Sequence, residues 1–354
     1  MSAELRIHLP AFRHNVATLA AIASPARTML AVKADGYGHG MLPVARAALE
    51  AGADSLAVLE VPAGLVLRDA GIRVPLFAWL HGAGTDFRAA VEHEIDLGVS
   101  SREELARIAT AGASRPARVH LKIDTGLHRN GASAEEWPVL VSEAIAARSA
   151  GTVVIAGIWS HLADASPDAD LAALAEFRAA VAVAAGLGVP MDGPGRPLLH
   201  LAASSAGIRE PETRFDLVRF GIAAYGVSPF DDTDGPGLGL RGTMSLRAEL
   251  VRLADGRAWL DVGSADGLPP SVLGPSGSGA EVLLGGRRST VREIGVDTMI
   301  VDAPADARLG DHALVYGPGD AGEPSVEDWA AWAGTIGDEI LARASRRVPR
   351  VIEE

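Results

Sequence analysis

Thr28-Met29-Leu30-Ala31-Val32-Lys33-Ala34-Asp35-Gly36-Tyr37-Gly38-His39-Gly40 is the stretch from which the fold is read. A short apolar run with strand character carries a lysine to its end and then breaks at closely spaced glycines, the punctuation of a strand running into a tight turn. The same unit recurs downstream. Strands are expected at Thr28 to Lys33, Ser55 to Glu60, Val74 to Trp79, Asp96 to Ser100, Arg118 to Asp124, Val153 to His161, Leu198 to Ser204 and Leu217 to Ile222. Alanine-rich segments of helical period separate them; the clearest, Asp168 to Ala185, follows Ser166-Pro167 and stops at Gly186. Strands alternating with helices imply a parallel sheet, and eight such strands close a (β/α)8 TIM barrel.

After Tyr225 the texture changes. Pro229-Phe230-Asp231-Asp232-Thr233-Asp234-Gly235-Pro236-Gly237 is a run of turn formers, and beyond it short strands replace helices: Ser245 to Leu253, Ala258 to Val262, Glu281 to Leu284, Thr298 to Val301 and His312 to Val315. A helix over Val326 to Arg343 closes the chain. The α/β chain therefore reads as a TIM barrel over residues 11–235 and a smaller, mostly β C-terminal domain over 236–354, with the N-terminal strand 1–10 added to it.

Composition narrows the function. The net charge of −13 offers no basic stretch for a nucleic acid or an anionic membrane surface. Without cysteine there is no disulfide framework, thiolate nucleophile or cysteine-zinc site. The N-terminus lacks the basic flank and apolar core of a signal segment, so a soluble cytoplasmic protein is expected. Of thirty-two lysines and arginines only two are lysine, Lys33 and Lys122. Arginine can replace lysine wherever a cation is enough, but it cannot act as a nucleophilic primary amine, so the two lysines point to amine chemistry.

Active sites of barrels sit at the C-terminal ends of the strands. Lys33 at the end of the first strand, Lys122 in the fifth, His161 at the end of the sixth, Ser204 at the end of the seventh and Arg219 in the eighth all fall there. An amine, an imidazole, a hydroxyl and a guanidinium thus face one mouth.

These residues carry a resemblance. Ala31-Val32-Lys33-Ala34-Asp35-Gly36-Tyr37-Gly38-His39-Gly40, Lys122-Ile123-Asp124-Thr125-Gly126-Leu127-His128-Arg129-Asn130-Gly131 and Asp216-Leu217-Val218-Arg219-Phe220-Gly221-Ile222 resemble the alanine racemase family along nearly the whole chain. The resemblance implies pyridoxal 5'-phosphate as cofactor, held covalently by Lys33, with Tyr37, Ser204, Gly221 and Ile222 at its phosphate, His161 near the pyridine ring and Arg219 on the ring nitrogen. It implies that Lys122, often carbamylated in the family, positions Arg129, and that Asp297 belongs to a substrate-side loop. It further implies a homodimer sharing its active sites between subunits, a small amino-acid substrate, and conversion of L-alanine to D-alanine for D-alanine biosynthesis.

The chain also departs from the family pattern. Racemisation needs a proton removed from one face and returned on the other, and the family's second base is a tyrosine located before an Ala-Asp-Gly motif. Here Val251 runs straight through Ala254-Asp255-Gly256 to Ser264-Ala265-Asp266-Gly267 without one. Ser264 and Asp338 stand where the family carries tyrosines, the latter one that reaches the partner's cofactor phosphate, and Ala203 replaces an asparagine beside Ser204, leaving Ser205 as a substitute. Two readings follow: an atypical, weak amino-acid racemase, or a non-racemising pyridoxal-phosphate protein, either a cofactor carrier or regulator or a one-base enzyme using Lys33.

Overall fold

The computed structural model describes residues 3–274 and 279–354, so the first two residues of the expected N-terminal strand lie outside the described residues. The chain divides into two compact units: Leu19–Lys33 with Gly52–Gly221, and the chain up to Thr18 with Ala34–Ala51 and Ile222–Glu354.

The first unit is the expected barrel. Its strands Arg27–Ala31, Ser55–Val58, Leu76–Ala78, Ile95–Val99, Ala117–Lys122, Val153–Trp159, Leu198–His200 and Leu217–Phe220 lie side by side in parallel. Leu217–Phe220 pairs with the first strand, and Asp216 N–H to Leu199 O and Arg219 N–H to Ala202 O join it to the seventh, closing the cylinder. Ser55–Val58 and Ile95–Val99 are buried at every residue, as strands covered on both faces must be. Helix starts follow ordinary capping chemistry. Ser101 accepts from Glu104 N–H at 3.2 Å, and Ser166 caps Pro167–Gly186 by accepting from Ala169 N–H. Met29, Ala57, Phe77, Trp159 and Leu217 pack together in the core.

The strands are shorter than expected. The third starts at Leu76 because Pro75 has no N–H to donate. The first ends at Ala31, where its pairing with Ala57 ends, so Lys33 lies two residues past the strand. His161 likewise lies two residues past Trp159, and Ser204 opens the helix Ser204–Arg209 rather than ending a strand.

In the second unit, Met244–Ala254, Arg257–Leu260, Met299–Asp302, Arg287–Ile294, Glu281–Leu284 and His312–Tyr316 pair in a closed antiparallel ring. Glu4–His8 adds to Met244–Ala254, and Arg350–Glu353 adds in parallel to Glu4–His8. Arg287–Ile294 went unread because only Ser289 and Val291 of it are buried, leaving little apolar alternation. The expected final helix is two helices, Val326–Ala333 and Gly337–Ala342; Gly334, at φ 67°, ends the first in a left-handed cap.

Candidate active site

Within the barrel unit the cationic residues converge. Lys122, the last residue of its strand, is 1% exposed; its Nζ donates to Asn130 O at 2.9 Å and to Asn130 Oδ1, and sits 5.0 Å above the Trp159 ring. Burial, followed by the charges of Arg129 and Arg219, pushes its ammonium down to about 8. Arg129 itself is exposed. Arg219 is buried in the eighth strand. Its Nη1 donates to His200 Nδ1 at 3.0 Å, and its Nη2 to Ser160 O at 2.8 Å, Leu201 O at 2.9 Å and His161 Nδ1 at 3.2 Å. All four partners are neutral acceptors, and burial with the nearby Arg129 charge lowers its guanidinium to about 9, still cationic at neutral pH.

His161 is held well below its usual range by burial and then by Arg219, Arg129, Lys122 and Lys33. Those four cations thus act on one imidazole. Lys33 is half-buried at the edge of the unit. Gly221 N–H donates to Ser204 Oγ at 3.1 Å, so the expected amide and hydroxyl do meet. Ser205, the expected substitute, instead donates to Asp164 Oδ1.

Tyr37, Ile222 and Asp297 belong to the second unit. Tyr37 ends a turn in which Ala34, Asp35, Gly36 and Tyr37 all have φ between 49° and 63°, one left-handed turn immediately after Lys33. Such a turn crowds every Cβ against a carbonyl, at about 1–2 kcal/mol for each non-glycine residue. The neighbouring structure over-determines it. Met41 N–H bonds Asp35 Oδ1, His39 Nδ1 bonds Tyr37 O, His39 Nε2 meets Thr243 Oγ1 at 2.8 Å, and Arg350 Nε donates to Gly38 O at 3.0 Å. A Cβ on Gly38 would lie 2.3 Å from Leu341 O, so only glycine fits there. Backbone strain concentrated beside one lysine marks a functional position.

Asp297 is exposed and paired with Arg347 at 2.9 Å. Asp338 was expected at a partner's cofactor; its charge acts on Tyr37 of its own chain, whose phenol is raised first by burial and then by Asp338. Ile222 opens a short 3-10 turn, Ile222–Tyr225.

The connection between the β strands Met244–Ala254 and Arg257–Leu260 is short. Ala254 pairs with Arg257, so only Asp255 and Gly256 join the two strands, both at positive φ (49° and 71°), as a two-residue hairpin turn requires. The tip carries no tyrosine. The chain's three tyrosines, Tyr37, Tyr225 and Tyr316, are each at most 3% exposed, and burial raises all three phenols.

With this geometry in place, likeness to known proteins decides the family. Residues 7–229 match the alanine racemase N-terminal domain and residues 252–352 the alanine racemase C-terminal domain. The chain belongs to the alanine racemase family. Among its relatives, the alanine racemase of Salinispora tropica is 41% identical over 98% of this chain and 97% of its own length, and that of Thermobifida fusca is 40% identical over 99% and 97%. The crystal structure of the alanine racemase from D-cycloserine-producing Streptomyces lavendulae superposes with a TM-score of 0.93 at 38% identity, covering 100% of this chain and 97% of that one. Family membership therefore extends through both units, including the β unit whose hairpin is short.

Sequence reasoning missed Asp96, His120 and His200, which form a polar chain inside the barrel, and Asn130, which holds Lys122. The signal was present in Val119-His120-Leu121-Lys122. Residues two apart on a strand share a face, so a lysine facing the barrel interior carries His120 with it.

Proposed function

We propose that this protein is a pyridoxal-phosphate-dependent racemase of alanine or a similarly small amino acid, with a feeble second proton-transfer step. The observation that carries the reading is the buried pair of cations, Lys122 and Arg219, both over the Trp159 ring and each hydrogen-bonded to neutral groups. In a chain of net charge −13, a barrel interior that buries Lys122 and Arg219 against neutral partners is complementary to an anionic ligand.

The residues fit the cofactor. Lys33 would supply the amine, Ser204 Oγ and the Gly221 amide already meet where a phosphate would be held, and Arg219 would face the ring nitrogen. When bound, pyridoxal phosphate withdraws electrons from an attached amino acid and acidifies its Cα–H. Arg219 only donates hydrogen bonds, so a nitrogen facing it is kept unprotonated. Lys33 holds or moves the proton on one face of Cα. For the opposite face the chain brings no exposed phenol, because all three tyrosines are buried and resist ionisation. Lys122 and Asp297 take supporting roles, Lys122 bracing the strand end that leads to Arg129. The homodimer and the cytoplasmic location belong to the same proposal; no described helix is long and apolar enough to cross a membrane.

The two-residue hairpin at Asp255-Gly256 favours a second reading, a one-base or non-racemising pyridoxal-phosphate protein. Chiral chromatography of alanine incubated with cofactor-loaded protein separates them. The racemase reading expects slow formation of D-alanine from L-alanine, and of L- from D-alanine, abolished by Lys33→Ala. Binding of the cofactor without any inversion supports the second reading, and failure to bind the cofactor overturns both.

A further inference from the structure

Behind Arg219, away from the groups assigned above, the barrel interior carries a continuous row of polar side chains. Arg219 Nη1 meets His200 Nδ1 at 3.0 Å, His200 Nε2 meets His120 Nδ1 at 2.8 Å, and His120 Nε2 meets Asp96 Oδ2 at 3.1 Å. Arg118 closes the far end, its Nε donating to Asp96 Oδ1 at 2.8 Å. Asp96, His120 and His200 are 6%, 2% and 0% exposed. Phe77 packs against both imidazoles, with centroids 4.8 and 5.6 Å away, and Trp159 stacks on His200 at 5.7 Å. Polar groups this deep in an aromatic core cost stability unless each finds its partner.

The chemistry of the two ends determines every proton between them. A guanidinium has no acceptor, so His200 Nδ1 must carry the lone pair. A neutral His200 then has its proton on Nε2, His120 Nδ1 must accept it, and His120 Nε2–H is left to donate to the carboxylate. All donors point from Arg219 toward Asp96. If His120 were protonated on both nitrogens, it would force a proton onto His200 Nδ1, facing the arginine, and break that contact. Burial and the Arg219 charge favour a neutral His200, and against the raising effect of burial the hydrogen bonds that Asp96 accepts from His120 and Arg118, with the Arg118 charge, lower its carboxyl. The row also has dedicated space. A Cβ on Gly157 would lie 2.1 Å from His120 Nδ1, so the glycine makes room for the ring.

We propose that Asp96, His120 and His200 are positioning residues for Arg219, a one-way hydrogen-bond relay in which the Asp96 carboxylate locks the imidazole tautomers and thereby orients the guanidinium. The consequence for catalysis rests on the proposed contact of Arg219 with the cofactor ring. The relay itself does not, and it can be tested without cofactor.

Protein labelled with 15N-histidine and freed of cofactor is examined by long-range 1H–15N correlation, with His120→Gln and His200→Gln assigning the two rings. The wild type is expected to show both histidines neutral, each protonated at Nε2 and bare at Nδ1. Asp96→Asn removes the anion, and Gly157→Ala displaces the His120 ring while leaving both ends of the relay in place; each is expected to populate the second tautomer of His200. A doubly protonated His120, or a proton on His200 Nδ1 in the wild type, overturns the relay even if neither variant folds. A His200 signal unchanged in both folded variants overturns the lock. Failure of the cofactor reading is distinguishable, because it would show as absent cofactor absorbance with the tautomers as predicted.

Discussion

Lys122 shows how burial turns an ordinary side chain into a reactive one. In water its ammonium would deprotonate only near 10.4, whereas in the barrel it does so at about 8. Between those values the unfolded chain binds a proton that the folded chain does not, so stability rises with pH across that window. Below pH 8 the full cost of the buried ammonium is present. Urea unfolding at pH 7.5 and 9.5 is expected to show this gain in the wild type and a smaller one in Lys122→Met. The same depressed value leaves a free amine near neutral pH, which a carbamate requires. With 13C-labelled bicarbonate at fixed dissolved carbon dioxide, a carbamate carbon signal is expected to grow as pH passes through about 8 and to be absent in Lys122→Arg. At this scale the sequence was informative where residue type was scarce, as with the two lysines, and less so where function depends on a neighbour. Arg219 was legible from its motif, but its four neutral partners come from two other chain segments, Ser160-His161 and His200-Leu201.

Two short elements depart from what pattern alone conveys. Gly36, Gly38 and Gly40 announce a turn, but not that Ala34, Asp35 and Tyr37 share its left-handed conformation; that is imposed by contacts with Thr243 and Arg350, some two hundred or more residues away in the chain. Replacing Ala34, at φ 51°, with glycine removes a Cβ clash and is expected to stabilise the fold by about 1 kcal/mol in chemical denaturation. Gly38→Ala, by contrast, drives a Cβ to 2.3 Å from Leu341 O and is expected to lose cofactor retention along with stability. The hairpin at Asp255-Gly256 was readable in advance because an Asp-Gly pair between alternating strands is a strong local signal. The strand Arg287–Ile294 was not, since its register comes from pairing with Glu281–Leu284 and Met299–Asp302 rather than from its own charged sequence.

For the whole molecule, the eight-strand period identified the barrel, and the change of texture after Tyr225 announced the β unit. The chain does not divide simply at that change. Residues up to Thr18 and Ala34–Ala51 join the β unit because of contacts that no linker composition records. Both units match the alanine racemase family. Ser204 and Gly221, the proposed phosphate contacts, do meet, whereas the hairpin at Asp255-Gly256 has two residues and every phenol is buried. A positioned general base contributes roughly a hundredfold to ten-thousandfold to a proton transfer. One-sided proton chemistry should therefore run well ahead of inversion. The direct test is to incubate cofactor-loaded protein with L-alanine and, separately, with D-alanine in deuterium oxide and follow Cα deuterium by mass spectrometry alongside chirality. The account predicts that the enantiomer whose Cα–H faces Lys33 gains deuterium with retained chirality at least tenfold faster than it inverts, with both lost in Lys33→Ala; inversion keeping pace with exchange for both enantiomers would contradict it.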